Sequence, residues 1–286
     1  MRRRKRAMPT TPTQTYWNNR AQQNSNRAYR LALTYSKRMK KLYQAARDSC
    51  ENQLNAALAE ILAGGKPPTR TALYRYEKYR ELESLIDREL GVLRSRQVSM
   101  IDAMVDSIFQ STIGTTYQQM TGKDAAFNFV PERATSELVN FEWSGKNYSQ
   151  RVWQNVNALA SHLKSDLMEQ IMLGRNPADI KRKLADDMSV GFSSADRIIR
   201  TESMYVYNRA AMAGYQASGV KQVCVLIAHD ERLCDKCEGH AGVYNIGNEP
   251  LLPRHPNCRC CYAPVVDLSV QGILDKAKSM AATKRP

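Results

Sequence analysis

The sequence predicts a mainly α-helical protein in which a long N-terminal helical hairpin precedes an α-rich domain that ends in a small β unit. Two observations carry this prediction. Apolar residues recur every three or four positions over most of the chain, which is the period of an amphipathic helix. The two-residue alternation typical of a strand appears only after about position 220 of the chain.

The first helix is predicted from about Thr15 to Ala63. Gly64-Gly65 ends it, and Lys66-Pro67-Pro68 prevents its continuation because proline has no backbone N–H to donate. Thr69 can then cap a second helix. Since each helix has one apolar stripe, the two are expected to form an antiparallel hairpin. The stripes consist of Tyr35, Met39, Leu42, Ala46, Cys50, Leu54, Leu58 and Ile61, and of Leu73, Tyr76, Tyr79, Leu82, Ile86, Leu90 and Leu93.

Three helices are predicted in the second domain. Ser149 is the expected cap of the first, which runs to Gly174. Asn176-Pro177 starts a short helix, because asparagine caps well and proline suits the first helical position. Another helix is expected from about Ala195 to Ala217, before Gly219.

The resulting organisation has six segments. They are a basic arm with the start of the first helix (1–47), the helical hairpin (48–121), a connector (122–148), the helical part of the second domain (149–219), the β unit (220–267) and a C-terminal helix or tail (268–286).

Five of the seven cysteines lie between Cys234 and Cys261, within the β unit. A strand predicted from Val223, Val225 and Ile227 leads to Cys234-Asp235-Lys236-Cys237, and a second, Tyr262–Val266, follows His255-Pro256-Asn257-Cys258-Arg259-Cys260. This spacing is close to that of a zinc site built on two turns.

A Zn²⁺ ion that staples the β unit is therefore predicted, because two thiolates on one turn face the ion and a second turn closes the tetrahedron. The predicted ligands are Cys234, Cys237, His255 and Cys260, with Cys258, His240 and Cys261 as alternates. Disulfides or free buried thiols are the alternative. The segment after Met1 has no apolar core of a secretory signal, which favours a reducing compartment and hence a metal.

A catalytic zinc would need an open coordination position and a general base, for which Asp230, Glu231 and Glu238 are near in sequence. The site offers more than four candidate ligands, which favours a closed, structural ion. The sequence has no helical His-Glu-x-x-His pair, so the zinc-protease pattern fails. His240 follows the Cys-x-x-Cys, whereas the zinc-deaminase pattern has its histidine element before that pair. We therefore expect no catalytic residues.

Further elements accompany the cysteines in a fixed order. They are Gly145-Lys146-Asn147-Tyr148-Ser149, Arg200-Thr201-Glu202, Asn208, Gly214, the run Asp230 to Cys237, Gly242 and the run His255 to Cys260. Together they resemble the tailed-phage minor head protein family, the Mu F-like head morphogenesis proteins, over about Gly145 to Val266. The additional Cys261 departs from the family pattern.

The resemblance implies a structural minor capsid protein that acts in head assembly, with portal, capsid and scaffold proteins as partners. Its expected location is the host cytoplasm during assembly and then the virion. The alternative is a zinc-dependent enzyme that acts on nucleic acid, with Glu202 as its acid or base. We expect Arg200 and Glu202 instead to anchor their helix to the strands through charge-assisted hydrogen bonds, and we also class Asn208 and Asp230 as structural.

The net charge of +14 is concentrated at the N-terminus. Residues 1–47 contain 13 Lys or Arg and no acidic residue, whereas the remainder has 29 basic and 28 acidic residues. This predicts an arm that contacts a polyanion, either double-stranded DNA or an acidic protein surface, with an anionic membrane surface ranked third. No apolar run is long enough to cross a bilayer. The candidate residues are Arg2, Arg3, Arg4, Lys5 and Arg6 in a segment predicted to be disordered, and Arg30, Lys37, Arg38, Lys40 and Lys41 on one helix face.

Overall fold

A computed structural model describes residues 11–123, 145–228 and 235–266. This part of the chain is mainly helical and has a small antiparallel sheet near its C-terminal end, which confirms the predicted fold class. The helices are α1 (Pro12–Ala63), α2 (Arg70–Leu73), α3 (Glu77–Thr121), α4 (Tyr148–Met172), α5 (Pro177–Ala217) and α6 (Asp235–Glu238), and the strands are β1 (Gln222–Leu226), β2 (Gly242–Asn245) and β3 (Cys261–Val265).

Contacts group the described residues into two compact units. The first, which we call the sheet unit, contains 11–30, 107–123 and the described residues from 203 to 266. The second, the helical unit, contains 31–106 and 145–202. Within the part of the chain that the structure describes, no helix combines the length and the apolar character that a membrane crossing requires.

Helices α1 and α3 form an antiparallel pair in the helical unit, as the two apolar stripes predict. Hydrogen bonds join Gln97 Nε2 to Tyr43 Oη at 2.9 Å and Ser49 Oγ to Glu89 Oε1 at 3.0 Å. The partner's number falls as the α1 residue number rises, which is the signature of a hairpin. Thr69 caps a helix as expected, since its hydroxyl accepts a hydrogen bond from Ala72 N. That helix is only the four-residue α2, so the single second helix predicted from Thr69 is wrong, and the long helix of the hairpin, α3, begins at Glu77.

The start of α4 corrects the predicted cap. Asn147, and not Ser149, is the N-cap: its side chain accepts a hydrogen bond from Gln150 N at 2.9 Å, and its backbone N donates to Gln150 Oε1 at 3.2 Å. This reciprocal pair is a capping box, which satisfies two amide groups at the helix start together. Ser149 offers no such partner three residues later and lies inside the helix.

Helix α5 is continuous, so the predicted separation of a short helix from a second one at Ala195 is wrong. Buried Leu184 and Met188 continue the apolar stripe between the two segments. Gly191 does not interrupt the helix, because it serves close packing: a Cβ atom there would lie 2.6 Å from Leu159 Cδ2 of α4. A glycine inside a helix is tolerated where such an approach leaves no room for a side chain.

The sheet has the strand order β2-β1-β3 and is antiparallel throughout. Val223 and Val225 of β1 are buried, as their alternation predicts, and β3 begins at Cys261, one residue before the predicted start. Strand β2 has four residues and no buried side chain, so no apolar alternation predicted it. In the order β2-β1-β3, strand β3 lies at one edge of the sheet.

Candidate metal centre

The sheet unit brings three cysteine thiols together. Cys237 lies on α6, while Cys258 and Cys260 precede β3, and one ligand atom from each lies within 4.8 Å of the other two. All three side chains are buried. No disulfide joins any two of the cysteines that the structure describes, so the disulfide alternative fails for pairs among them.

Two tight turns present these thiols. After the single turn of α6, His240 N donates to Cys237 O at 2.9 Å, which closes the first turn behind the thiol. In the second turn Cys258 N donates to His255 O at 3.2 Å, and Asn257 has φ 60°. Asparagine is one of the few residues that adopt this left-handed conformation at low cost. The sequence thus specifies both turns locally.

The sulfur positions fit a tetrahedral metal ion. Cys237 Sγ and Cys258 Sγ are 3.8 Å apart. Two thiolates bound to tetrahedral zinc at about 2.3 Å lie about 3.8 Å from each other. A disulfide would require about 2.05 Å. Three buried thiols at this spacing could therefore hold a metal ion.

The electrostatics of the Cys258–Cys260 pair favour one thiolate. The Cys260 side chain hydrogen bonds to Cys258 and lowers the pKa of the Cys258 thiol, and backbone groups of Arg254 and Cys260 lower it further. The same pairing, together with burial, raises the pKa of Cys260, although the backbone of Ala228 hydrogen bonds to that thiol. Backbone donors to sulfur compensate for negative charge that thiolate ligands bring into a buried site.

The remaining predicted ligands lie elsewhere or outside the described residues. Cys234 falls in the segment that is not described. His255 is partly exposed, and its Nδ1 lies 2.9 Å from Pro256 O; neither it nor His240 belongs to the group of converging ligand atoms. Cys261 is not one of the converging thiols, and its side chain hydrogen bonds to Ser25 of α1. Cys258, given only as an alternate, is one of the three converging thiols.

Asn208 of α5 holds the backbone on both sides of Cys261. Its Nδ2 donates to Cys260 O at 3.1 Å and to Met204 O at 2.9 Å, and its Oδ1 accepts from Tyr262 N at 3.3 Å. The side chain is fully buried. A helix residue thus provides the donor and the acceptor that a neighbouring strand would otherwise provide.

Other side chains complete this edge of β3. Tyr215 Oη donates to Tyr262 O at 3.3 Å, and Gln14 Nε2 of α1 donates to Pro264 O at 3.1 Å. Tyr262 Oη in turn accepts from Leu252 N at 3.1 Å, which ties the loop before Cys258 to the strand. Edge strands expose unpaired backbone groups unless something covers them. Sequence reasoning missed these roles, because each partner is remote along the chain.

Arg259, between two cysteines, connects the site to the first helix. Its Nη2 donates to Asn26 Oδ1 at 2.8 Å, and its guanidinium lies 4.5 Å from the centroid of the Tyr29 ring. This combination of a hydrogen bond and a cation–π contact holds the Arg259 side chain against α1.

Arg200 and Glu202 belong to the helical unit. Glu202, buried, pairs with Arg151 of α4 at 3.3 Å, and Arg200 pairs with Asp196 one turn earlier on α5 at 2.8 Å. The Arg151–Glu202 pair joins α4 to α5, whereas the Arg200–Asp196 pair lies within α5. The anchoring of both residues to the strands stays a prediction, and Asp230 lies outside the described residues.

Some of the candidate polyanion contacts lie in the described part of the chain, and others lie outside it. Residues 2–6 are not described. The basic side chains of α1 named in the sequence analysis are all exposed, and they lie opposite buried Ala32, Met39 and Tyr43. Arg38 lies over the Tyr35 ring, 5.3 Å from its centroid. The exposed face of α1 is thus basic.

Comparison with known proteins gives a family match for part of the chain. Residues 161–263 match the model of the family described as Phage Mu protein F like protein. This part of the chain is similar to the Mu F-like head morphogenesis proteins. No curated protein and no solved structure matches the chain.

The matched region contains the end of α4, all of α5, β1, β2, the start of β3, the converging cysteines and Asn208. It starts at residue 161, so the elements from Gly145 to Ser149 lie before it. The family points to a structural protein of phage heads, and this favours a role without catalysis.

We predict that Asn208→Ala will lower the free energy of unfolding by about 2–4 kcal/mol, because it leaves Cys260 O and Tyr262 N buried without partners. Hydrogen exchange at the Tyr262 amide should accelerate. Asn55→Ala is the control, since Asn55 is exposed on α1, and it should change stability by less than about 0.5 kcal/mol. Equal melting temperatures for both variants would show that the Asn208 amide does not hold β3.

Proposed function

We propose that this protein is a minor structural component of a tailed-phage head, associated with the portal and the capsid interior, and that it contacts packaged DNA through its basic N-terminal arm. The match of residues 161–263 to the Mu F-like family is the observation that carries the proposal. Portal, capsid and scaffold proteins are the proposed partners during assembly in the host cytoplasm, and the protein then stays in the virion.

The proposed cofactor is one structural Zn²⁺. Cys237, Cys258 and Cys260 would supply three thiolates, and Cys234 would supply the fourth because its Cys-x-x-Cys spacing lets both thiols face one ion. A closed set of four thiolates leaves no position for a substrate or a reactive water. When bound, the ion would link α6 to β3 and so stabilise a sheet of only three short strands.

The proposed DNA contact rests on charge and exposure. No acidic residue occurs before Asp48, and the basic residues of α1 from Arg30 to Lys41 are exposed. Exposed lysine and arginine bind phosphates with little dependence on sequence. DNA is preferred over an acidic protein because packaged DNA is the densest polyanion that a head protein meets.

The alternative, a zinc-dependent enzyme acting on nucleic acid, has less support. A catalytic ion needs an open position, whereas the converging thiols and the proposed Cys234 fill all four. Glu202, its candidate acid or base, is engaged with Arg151.

Purified protein should contain about one zinc per chain. Cys237→Ser, Cys258→Ser and Cys260→Ser should each lose the metal and melt at lower temperature, because the small sheet depends on the coordination energy. Cys224→Ser is the matched control: Cys224 is on β1, outside the thiol group, and this variant should keep its zinc. Elemental analysis measures both.

The fourth ligand is identified by the same assay. Cys234→Ser should lose zinc, while His255→Ala and His240→Ala should retain it. Zinc-free protein prepared without chelator, or full zinc in the Cys237, Cys258 and Cys260 variants, would rule out this site.

Replacing Lys37, Lys40 and Lys41 with Gln should weaken binding to double-stranded DNA equally for different sequences and should reduce the slope of log K against log salt by up to about 3. The control replaces Lys66, Arg70 and Arg75 with Gln, which removes the same charge from exposed positions near the hairpin turn. If both triple variants lose affinity equally, the effect is one of net charge. If neither does, and the protein binds an acidic head protein, the arm serves protein docking.

Mass spectrometry should find the protein in purified procapsids and mature heads, because a structural component stays in the particle that it helps to build. Deletion of the gene should give heads that assemble or package poorly, or particles that eject DNA poorly. The enzyme alternative would replace this proposal if the protein were absent from heads and showed a metal-dependent nuclease activity that Glu202→Gln abolished.

A further inference from the structure

A second group of metal-ligand side chains lies in the helical unit, on α4 and α5. His162 and Asp166 are one turn apart on α4, and Asp187 is on α5; one ligand atom from each lies within 4.8 Å of the other two. His162 Nε2 is 3.3 Å from Asp166 Oδ2 and 3.7 Å from Asp187 Oδ1. None of these residues takes part in the cysteine site or in the proposed function.

The group already binds one cation, the ammonium of Lys183. Its Nζ lies 2.7 Å from Asp166 Oδ2 and 2.7 Å from Asp187 Oδ1. These hydrogen bonds raise the pKa of Lys183. Two carboxylates thus share the single positive charge of the Lys183 ammonium.

Asp187 supplies an independent indication of a ligand. Its side chain is 6% exposed, yet its Oδ2 is buried and has no hydrogen-bond partner in the described part of the chain. A buried carboxylate oxygen without a donor is costly, and a metal ion would satisfy it. His162 is 59% exposed and Lys183 36% exposed, so an ion can enter from solvent while the flexible lysine moves out.

We propose that His162, Asp166 and Asp187 form a divalent-cation site in which the Lys183 ammonium occupies the place of the ion and competes with it. One imidazole and two carboxylates suit Mn²⁺, which prefers oxygen and nitrogen donors to the thiolates of the cysteine site. A divalent ion would balance both carboxylates once the ammonium has left. It would then connect α4 to α5, as Lys183 does without it.

The test is titration of the full-length protein with Mn²⁺, with free Mn²⁺ followed by electron paramagnetic resonance. Lys183→Met removes the competing charge and keeps much of the side chain's bulk, so it should tighten binding by about tenfold or more. Lys181→Met, two residues away on α5, should leave the affinity at the wild-type value. His162→Ala should weaken binding and leaves the Lys183 ion pairs intact.

Asp187→Asn added to Lys183→Met should abolish saturable binding, whereas the neighbouring exposed Asp186→Asn should preserve it. Circular dichroism identifies which variants fold. Absence of saturable Mn²⁺ binding in every folded variant would overturn the proposal. So would binding that persists unchanged in the Lys183→Met/Asp187→Asn protein or in folded His162→Ala.

Discussion

The buried amide of Asn208 is the interaction on which the position of the cysteine site depends. A helix satisfies its own backbone internally, and an edge strand has a row of backbone groups with no partner. Asn208 joins the two, because its amide donates to Cys260 O and accepts from Tyr262 N. The side chain takes the place of a missing strand, and the backbone around Cys260 is therefore fixed relative to α5. Thiols that bind one common ion need a backbone fixed in this way, because metal–ligand distances vary little.

Strand geometry gives the adjacent residues Cys260 and Cys261 different surroundings. Successive side chains in an extended segment point to opposite sides. With the backbone of Cys260 and Tyr262 held by α5, the Cys260 side chain joins the thiol group, while Cys261 packs towards Ser25 of α1. Burial raises the pKa of Cys261 to about 12, so this thiol stays protonated. Cys261, which departs from the family pattern, is thus a packing residue beside the candidate ligand Cys260.

The sequence predicted those features of the fold that depend on nearby residues alone. The stripes of α1 and α3 and the alternation of β1 are visible in sequence because each face meets a uniform apolar surface. The continuity of α5 is not visible, because only the approach of Leu159 explains why Gly191 occupies a helix interior. Spacing located the cysteine group but did not predict which of Cys258, Cys260 and Cys261 converge with Cys237. That outcome depends on the pairing of β3 with β1 and with Asn208, all remote in sequence.

The first turns of α1 make a further connection that bears on the proposed DNA contact. Gln14 reaches Pro264, Tyr207 donates to Ala21 O at 2.8 Å, and Arg259 reaches Asn26. These contacts fix the start of a helix whose exposed face is basic. Ordering a flexible segment on binding costs free energy, and a segment that is already held avoids much of that cost. In the proposed function, these contacts therefore hold the first turns of α1 before DNA binds, and the lysines and arginines of that helix make the phosphate contacts.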